Sequence, residues 1–183
     1  MADFDYSAIS ATLDALLGKV DLSSTNEEGT KAELPDGYYL CEVIKAELTQ
    51  SKSGNPMVAI QFKVIEDGKR IVVDEQGYSQ LHDAPKTKDK IIYQNYVLSN
   101  ELQVTFFVSD MLKFQDPETN EPLFDKESDF ESTQSIMDVC EVLEAGMLVY
   151  IMVQTKESKS EPGKKEKKYN PISWKRAAKL ELL

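Results

Sequence analysis

The stretch GYYLCEVIKAELTQSKSGNPMVAIQFKV, residues 37–64, decides the fold class. Two runs with a side-chain period of two, which is the period of β-strands, flank a turn cluster at residues 51–56. In the first run, Tyr39, Cys41 and Val43 lie on one side, with Tyr38, Leu40, Glu42 and Ile44 on the other. In the second run the apolar positions are Val58, Ile60, Phe62 and Val64. Two such runs joined by Ser, Gly, Asn and Pro predict a β-hairpin.

The pattern continues on the C-terminal side of this hairpin. A third strand is expected at residues 91–98, where Tyr93 and Asn95 face opposite to Ile92, Gln94 and Tyr96. Residues 74–90 are polar and predict a long insertion or mobile loop, and residues 102–114 suit either helix or strand. A helix is predicted for residues 130–143, followed by a strand at 147–155 and a last strand beginning at Ile172 and Trp174.

The sequence N-terminal to this hairpin indicates a separate arm. Residues 6–20 carry apolar side chains at helical spacing, and residues 23–31 are a polar linker. The sequence therefore divides into a helical arm with its linker, residues 1–33, and a domain of residues 34–183. The arm either packs against its own domain or contacts a partner.

Three strands, a helical region and two more strands are the element order of the five-stranded Greek-key barrel of the oligonucleotide-binding (OB) type. We therefore predict a mainly β fold with helices, in which this barrel carries an N-terminal helix and a helical region between strands three and four. Such barrels bind oligonucleotides through one sheet face and their first and fourth hairpin loops. Here these loops are residues 51–56 and a basic hairpin at residues 156–168.

The charge distribution permits a polyanionic ligand despite the overall acidity. The 183 residues carry a formal net charge of -11, yet residues 146–183 contain nine Lys or Arg and only four Glu. That segment has a net charge of +5, and the remainder has -16. Because exposed charges more than about 10 Å apart are largely screened at 0.1 M salt, a local basic element can still contact phosphate.

Other features of the composition narrow the class of protein. Cys41 and Cys140 are far apart, which favours two reduced thiols, and the single histidine, His82, lies in a polar stretch. No run of apolar residues is long enough for a membrane span, and the N-terminus has acids where a secretory signal has bases. We expect a cytoplasmic, non-enzymatic binding protein without a metal or cofactor, because no nucleophile, phosphate-loop or metal-ligand motif occurs.

Several motifs resemble phage-encoded single-stranded DNA-binding proteins. They are Leu34-Pro35-Asp36-Gly37-Tyr38, Lys45-Ala46-Glu47-Leu48, Ser51-Lys52-Ser53-Gly54-Asn55-Pro56-Met57, Phe62-Lys63-Val64 and Tyr93-Gln94-Asn95-Tyr96-Val97-Leu98. The resemblance spans roughly residues 34–98, and beyond it only the element order agrees. It implies an OB fold that coats single strands, in the host cytoplasm, during phage DNA replication or recombination. The insertion at 74–90 and the lack of an acidic C-terminal tail depart from that family, so the acidic N-terminal arm is the expected contact for replication or recombination proteins.

Binding of single strands requires aromatic faces for bases and cations for phosphates. The candidate stacking residues are Tyr39, Tyr93, Tyr96, Tyr150 and Trp174, whereas Phe62 is predicted to lie in the core. The candidate phosphate contacts are Lys52, Lys159, Lys164, Lys165, Lys167 and Lys168, although a lysine-rich tip is also typical of a solvated loop. The main alternative is a protein-protein interaction or assembly module on the same barrel that binds no nucleic acid. An RNA ligand and a homo-oligomer also stay open.

Overall fold

The computed structural model describes residues 34–116, 119, 121–158 and 162–183. This part of the chain forms seven strands and three helices, numbered here in chain order. The strands are β1 (Gly37–Gln50), β2 (Pro56–Val64), β3 (Gly68–Val73), β4 (Ser79–Ala84), β5 (Ile91–Val97), β6 (Leu148–Glu157) and β7 (Lys165–Ile172). The helices are α1 (Glu101–Met111), α2 (Thr133–Glu144) and α3 (Trp174–Lys179). The prediction of a mainly β chain with helices is confirmed, while the predicted N-terminal helix lies outside the described residues.

The long strand β1 organises the sheet because it pairs along both of its edges. On one edge it pairs with β2 from Cys41 to Gln50, and with β3 at its first two residues. On the other edge its residues Gly37 to Glu42 pair with β6. A register shift between Val43 and Lys45 interrupts the β1–β2 ladder, and such irregularities bend a strand.

The remaining strands extend this sheet on both sides. β5 pairs with β2, β4 with β3, and β7 with β6, all antiparallel. Among the described strands β5 and β7 do not pair, so the sheet is open and the predicted closure into a barrel is not formed. The chain of neighbours is β4-β3-β1-β2-β5, with β6 and β7 attached to the other edge of β1.

The main core lies between one side of this sheet, here called the inner face, and helices α1 and α2. Tyr39, Cys41 and Val43 of β1 are at most 1% exposed, and they pack in one cluster with Phe107 of α1 and Leu143 of α2. Fully burying a side chain of this size contributes roughly 1.5–3 kcal/mol. Phe62 also lies in this core, as predicted.

A smaller core lies on the opposite side, the outer face, where α3 covers β1, β6 and β7. Its buried members are Tyr38, Tyr150, Met152, Ile172, Trp174 and Ala177. The side chain of Ser173 accepts a hydrogen bond from the backbone N–H of Arg176 and so caps α3. The prediction that Trp174 begins a strand is therefore wrong, because this cap starts a helix at Trp174.

The structure settles one segment that the sequence left open and differs from the prediction in another. Residues 102–114, which suit either state, form α1 up to Met111, since Asn100 caps the helix and Phe107 and Met111, four residues apart, are both buried. The polar segment 74–90, predicted as a loop, contains β4, whose ladder with β3 compensates for its weak strand propensity. Within the described residues no helix is long and apolar enough to cross a membrane.

Candidate nucleic-acid interface

The outer face of β1, β2 and β5 carries the one predicted stacking residue that is well exposed. Tyr93 of β5 has 64% of its surface exposed, and it lies directly opposite Gln61 of β2. Gln61 in turn lies opposite Lys45 of β1, so the three side chains form a row across three strands. We call the surface around this row the outer patch. Its residues are Ile44, Lys45, Gln61, Lys63, Ile91, Tyr93 and Asn95.

The edges of the outer patch are apolar and cationic. Ile44 and Ile91 are 43% and 39% exposed, which is unusual for side chains that strands normally bury. Lys63, opposite Ile91, forms an ion pair with Asp89 at 2.8 Å, and Lys45 forms one with Glu47 at 2.8 Å. The hydrogen bond to Asp89 raises the pKa of Lys63, so Lys63 stays protonated at neutral pH. Exposed ion pairs of this kind contribute little to stability and can be exchanged for other anions.

Two of the predicted stacking residues lie in the main core instead. Tyr39 is fully buried, and its hydroxyl donates a hydrogen bond to the backbone oxygen of Pro35 at 2.7 Å. Tyr96 is 8% exposed, and its hydroxyl donates to Asp110 at 3.0 Å while its ring packs edge-on against Phe107. Burial raises the pKa of both tyrosines. Both rings are buried, the Tyr39 ring against Gly68 of β3 and the Tyr96 ring against Phe107 of α1, so the structure removes them from the interface.

The other two predicted stacking residues lie beneath α3. Tyr150 is 5% exposed, and its hydroxyl donates to the backbone oxygen of Leu182 at 2.6 Å. Trp174 is 9% exposed and packs edge-on against Tyr150, with ring centroids 5.4 Å apart. These rings point to the outer face, as base-stacking residues should, but the C-terminal segment covers them. In this structure they stabilise the smaller core and are not available to a ligand.

The basic hairpin is present, and its lysines have different environments. Lys167 forms an ion pair with Asp36 at 2.9 Å and keeps only 18% of its side chain exposed, and Lys168 pairs with Glu166 at 2.9 Å. Lys164 and Lys165 are both exposed, and Lys165 has no ion pair within the described residues. Lys159 lies outside the described residues. Lys167 is therefore a structural residue, and Lys164, Lys165 and Lys168 remain candidate phosphate contacts.

The two predicted binding loops lie at opposite ends of β1. Lys52 is exposed in the turn after Gln50, where β1 ends, whereas β6 runs past Gly37, where β1 begins, toward the basic hairpin tip. A straight strand of this length would span about 45 Å at roughly 3.3 Å per residue. The outer patch lies between these two ends, on the half of β1 that pairs with β2.

The sequence-based prediction missed several residues that the structure places at or beside this surface. Gln61 and Lys63 alternate with the buried Ile60 and Phe62, so their outward direction was contained in the strand period. Lys175, Arg176 and Lys179 are exposed on α3, which covers the neighbouring part of the outer face. Their placement depends on how α3 packs, which no local pattern indicates.

The outer patch combines an exposed aromatic ring, two amide side chains and two lysines that are paired with carboxylates. The Tyr93 ring offers a flat face for stacking, while Gln61 and Asn95 can donate and accept hydrogen bonds at base edges. Lys45 and Lys63 can neutralise phosphate. The molecule is thus a mainly β protein with an aromatic and cationic face on an open antiparallel sheet.

Residues 19–115 match the model of the family DUF669, which is described as a protein of unknown function. This match covers more than half of the 183 residues, so the chain belongs to that family. The matched segment includes β1 to β5 and every residue of the outer patch. A comparison with curated proteins finds no match.

Proposed function

We propose that this protein binds single-stranded DNA without strong sequence preference and coats it during DNA replication or recombination, including that of a phage. The observation that carries the proposal is the exposed ring of Tyr93 in the middle of a strand, flanked by Gln61, Lys63 and Ile91. An aromatic ring on a sheet face can stack on any base, and each such stack contributes about 1–3 kcal/mol.

The strand connections support an OB-type arrangement as the framework of this function. If the β3–β4 hairpin is treated as an insertion, five strands remain, and a helical region lies between the third and the fourth of them. The first of these strands, β1, pairs with both the second (β2) and the fourth (β6), as in the OB Greek key. Five of the seven outer-patch residues then fall on the second and third strands, where OB domains bind oligonucleotides, and Ile44 and Lys45 belong to the first strand.

The distribution of cations supports a path for the DNA backbone. Exposed lysines on the β6–β7 hairpin and the exposed cations of α3 belong to the segment with a net charge of +5. Lys63 and Lys45, which are paired with Asp89 and Glu47, can exchange these carboxylates for phosphates beside the Tyr93 row. Because β5 is an outermost strand of the described sheet, all these cations lie on the β2 side of the Tyr93 ring, and a single strand that runs from the ring toward β6 and β7 passes over them.

The test is fluorescence anisotropy of a labelled oligo-dT of about 30 nucleotides, titrated with the full chain beside a duplex control. We expect salt-sensitive binding to the single strand and little binding to the duplex. Replacing Tyr93 with Ala should weaken binding about 5- to 150-fold, which corresponds to the removal of one stack. Tyr93→Phe should retain most of the affinity because the ring remains.

Phe106→Ala is the matched control, because Phe106 is also an exposed aromatic residue, at 59%, but lies on α1, away from the outer patch. Its removal should leave the affinity for oligo-dT unchanged. If wild-type protein does not bind at low salt, or if Tyr93→Ala and Phe106→Ala have equal effects, the proposal is wrong.

A second candidate function is a protein-protein interaction or assembly module that binds no nucleic acid. It is favoured by Leu102 and Phe106, which are 62% and 59% exposed and lie four residues apart on one side of α1. Exposed apolar pairs of this kind are typical of partner-binding helices. This function predicts no binding of oligo-dT and capture of a partner protein that Phe106→Ala abolishes.

A further inference from the structure

Strand β4 is an edge strand with few of the features that usually prevent edge strands from pairing with other chains. Five of its six residues are exposed, and its ladder with β3 runs from Gly68↔Ala84 to Val73↔Ser79 without a register shift. No other strand of the described part pairs with its second edge. Edge strands are normally protected by lysine and other charged residues, by proline or by bulges, and in β4, with the sequence SQLHDA, the one acidic or basic residue besides His82 is Asp83, which is paired with Lys69 of β3.

The other outer strands are less suitable for this pairing. β7 carries Lys165, Lys167, Lys168 and Pro171, which oppose the addition of a further strand. β5 also lacks lysine and proline, but its exposed Tyr93 belongs to the outer patch, which the proposed function assigns to a ligand. The β3–β4 hairpin instead exposes apolar surface, with Val73, Tyr78 and Leu81 at 61%, 71% and 38%.

We propose that β4 pairs with β4 of a second copy of this chain, which joins the two sheets across a two-fold axis. An antiparallel pair of identical strands is compatible with two-fold symmetry, which is the symmetry of most homodimers. The hydrogen-bond donors and acceptors on the open edge of each β4 then satisfy one another.

The side chains of β4 select one register for this pair. Directly opposite residues of paired strands lie on the same face, so Leu81 can face only odd-numbered residues of the second copy. With Leu81 opposite Leu81, Gln80 faces His82 and Ser79 faces Asp83. In this register the two Leu81 side chains contact each other, and the Gln80 amide lies opposite the His82 imidazole. The Ser79 hydroxyl lies opposite the Asp83 carboxylate. The two adjacent registers place Leu81 against a polar group, which is the Asp83 carboxylate when His82 is opposite His82 and the Ser79 hydroxyl when Gln80 is opposite Gln80.

The first test is sedimentation equilibrium of the full chain, without nucleic acid, for wild type, Leu81→Lys and Gln76→Lys. Leu81→Lys places two like charges opposite each other at the axis, and we expect the dimer dissociation constant to rise at least about tenfold. Gln76→Lys adds the same charge to the exposed turn of the same hairpin and should leave it unchanged. A monomeric wild type at high micromolar concentration, or a dimer that survives Leu81→Lys, would overturn the proposal.

The second test measures the register directly by disulfide formation in mild oxidant. Leu81→Cys should form a covalent dimer, because directly opposite Cβ atoms lie about 4.5–5.5 Å apart. Ser79→Cys should not, because its counterpart is offset by four residues, about 13 Å along the strand. The native Cys41 and Cys140 are buried and do not compete. Cross-linking at residue 79 but not at 81 would exclude this register. The outer patch does not take part, so failure here leaves the proposed function standing.

Discussion

At the scale of single residues, Asp36 connects the start of β1 to the strands on both sides. Its carboxylate accepts hydrogen bonds from the backbone N–H of Thr155 at 2.9 Å, from the Thr155 hydroxyl at 2.7 Å and from the Lys167 ammonium at 2.9 Å. Its backbone oxygen accepts a hydrogen bond from the N–H of Ile71 at 2.7 Å. One residue thus holds β3, β6 and β7 in position.

Replacing Asp36 with Asn should lower the free energy of unfolding by about 1 kcal/mol, because the pair with Lys167 is removed while part of the Thr155 interaction remains. Burial raises the pKa of this carboxyl, but the bonds from Thr155 and Lys167 outweigh burial and lower the pKa below its ordinary value of 3.8. Because the pKa of Asp36 is lower in the folded protein than in the unfolded chain, the ionised carboxylate stabilises the fold at pH values above the unfolded pKa. This contribution disappears as the pH falls through the pKa of the folded protein. In urea unfolding, the difference in free energy of unfolding between wild type and Asp36→Asn should therefore be largest at pH 7 and should decrease below about pH 4.

The control for this prediction is Asp89→Asn. Asp89 also pairs with a lysine, Lys63, but its side chain is 63% exposed. Exposed pairs contribute little, so its unfolding curve should match that of wild type. Equal effects of the two substitutions would mean that Asp36 acts only as a surface charge.

The tyrosines show how far the sequence determines the candidate site at this scale. The strand period places Tyr39 with Cys41 and Val43, and Tyr93 opposite to Ile92 and Tyr96, and the structure confirms both groupings. Choosing Tyr39 and Tyr96 as stacking residues was wrong, because each shares its side with buried apolar residues. Tyr93 points to the other face of its strand, so the strand period supported only this tyrosine of β5 as a stacking residue.

At the scale of elements, the six-residue helix α3 depends on its packing, because isolated helices of this length do not form in water. Trp174 is its main anchor, yet its indole Nε1 is buried and has no hydrogen-bond partner among the residues that the structure describes. We expect Trp174→Ala to lower the free energy of unfolding by about 3 kcal/mol, because the packing of the indole ring is removed. Trp174→Phe should cost much less, because it keeps a ring and removes the unsatisfied donor. Thermal or urea unfolding of both variants separates the lost packing from the removal of the unsatisfied donor. Equal losses of unfolding free energy in the two variants would contradict this explanation.

The burial of Tyr150 and Trp174 could not be predicted from local patterns. Tyr150 belongs to a strongly apolar strand in which either face is plausible, and only the return of the chain as α3 covers its outer side. Similarly, nothing in the composition of β4 predicts a strand, and it forms because β3 provides a ladder. Strands with regular alternation were predictable, whereas elements fixed by distant partners were not.

The β6–β7 hairpin offers a test of the proposed phosphate binding. Lys156 and Lys165 are exposed and have no ion pair within the described residues. Replacing both with Gln should reduce the slope of log affinity for oligo-dT against log salt by about 0.7 for each phosphate that is no longer neutralised. Lys69→Gln is the control, because Lys69 is an exposed lysine of the β3–β4 hairpin, outside both the outer patch and the β6–β7 hairpin. An unchanged slope in the double variant would assign the hairpin lysines to solubility alone.

At the scale of the whole molecule, the proposed binding of DNA involves two opposing electrostatic contributions. In the proposed complex the basic segment contacts phosphate, whereas the excess negative charge, which makes the net charge -11, belongs to the rest of the chain. The Debye length is about 10 Å at 0.1 M salt and about 30 Å at 0.01 M. In the proposed complex, repulsion between the strand and acids more than about 10 Å away is therefore largely screened at 0.1 M salt but not at 0.01 M.

This competition predicts a curved salt dependence for binding of oligo-dT. Above about 0.1 M salt, log affinity should fall linearly with log salt, because released counterions dominate. Below about 0.03 M the curve should flatten, because the acids that are screened at higher salt now repel the strand. Anisotropy titrations from about 0.01 to 0.3 M salt measure both regimes. A line that stays straight down to about 0.01 M would contradict this account, because the strand would then not sense the acidic residues.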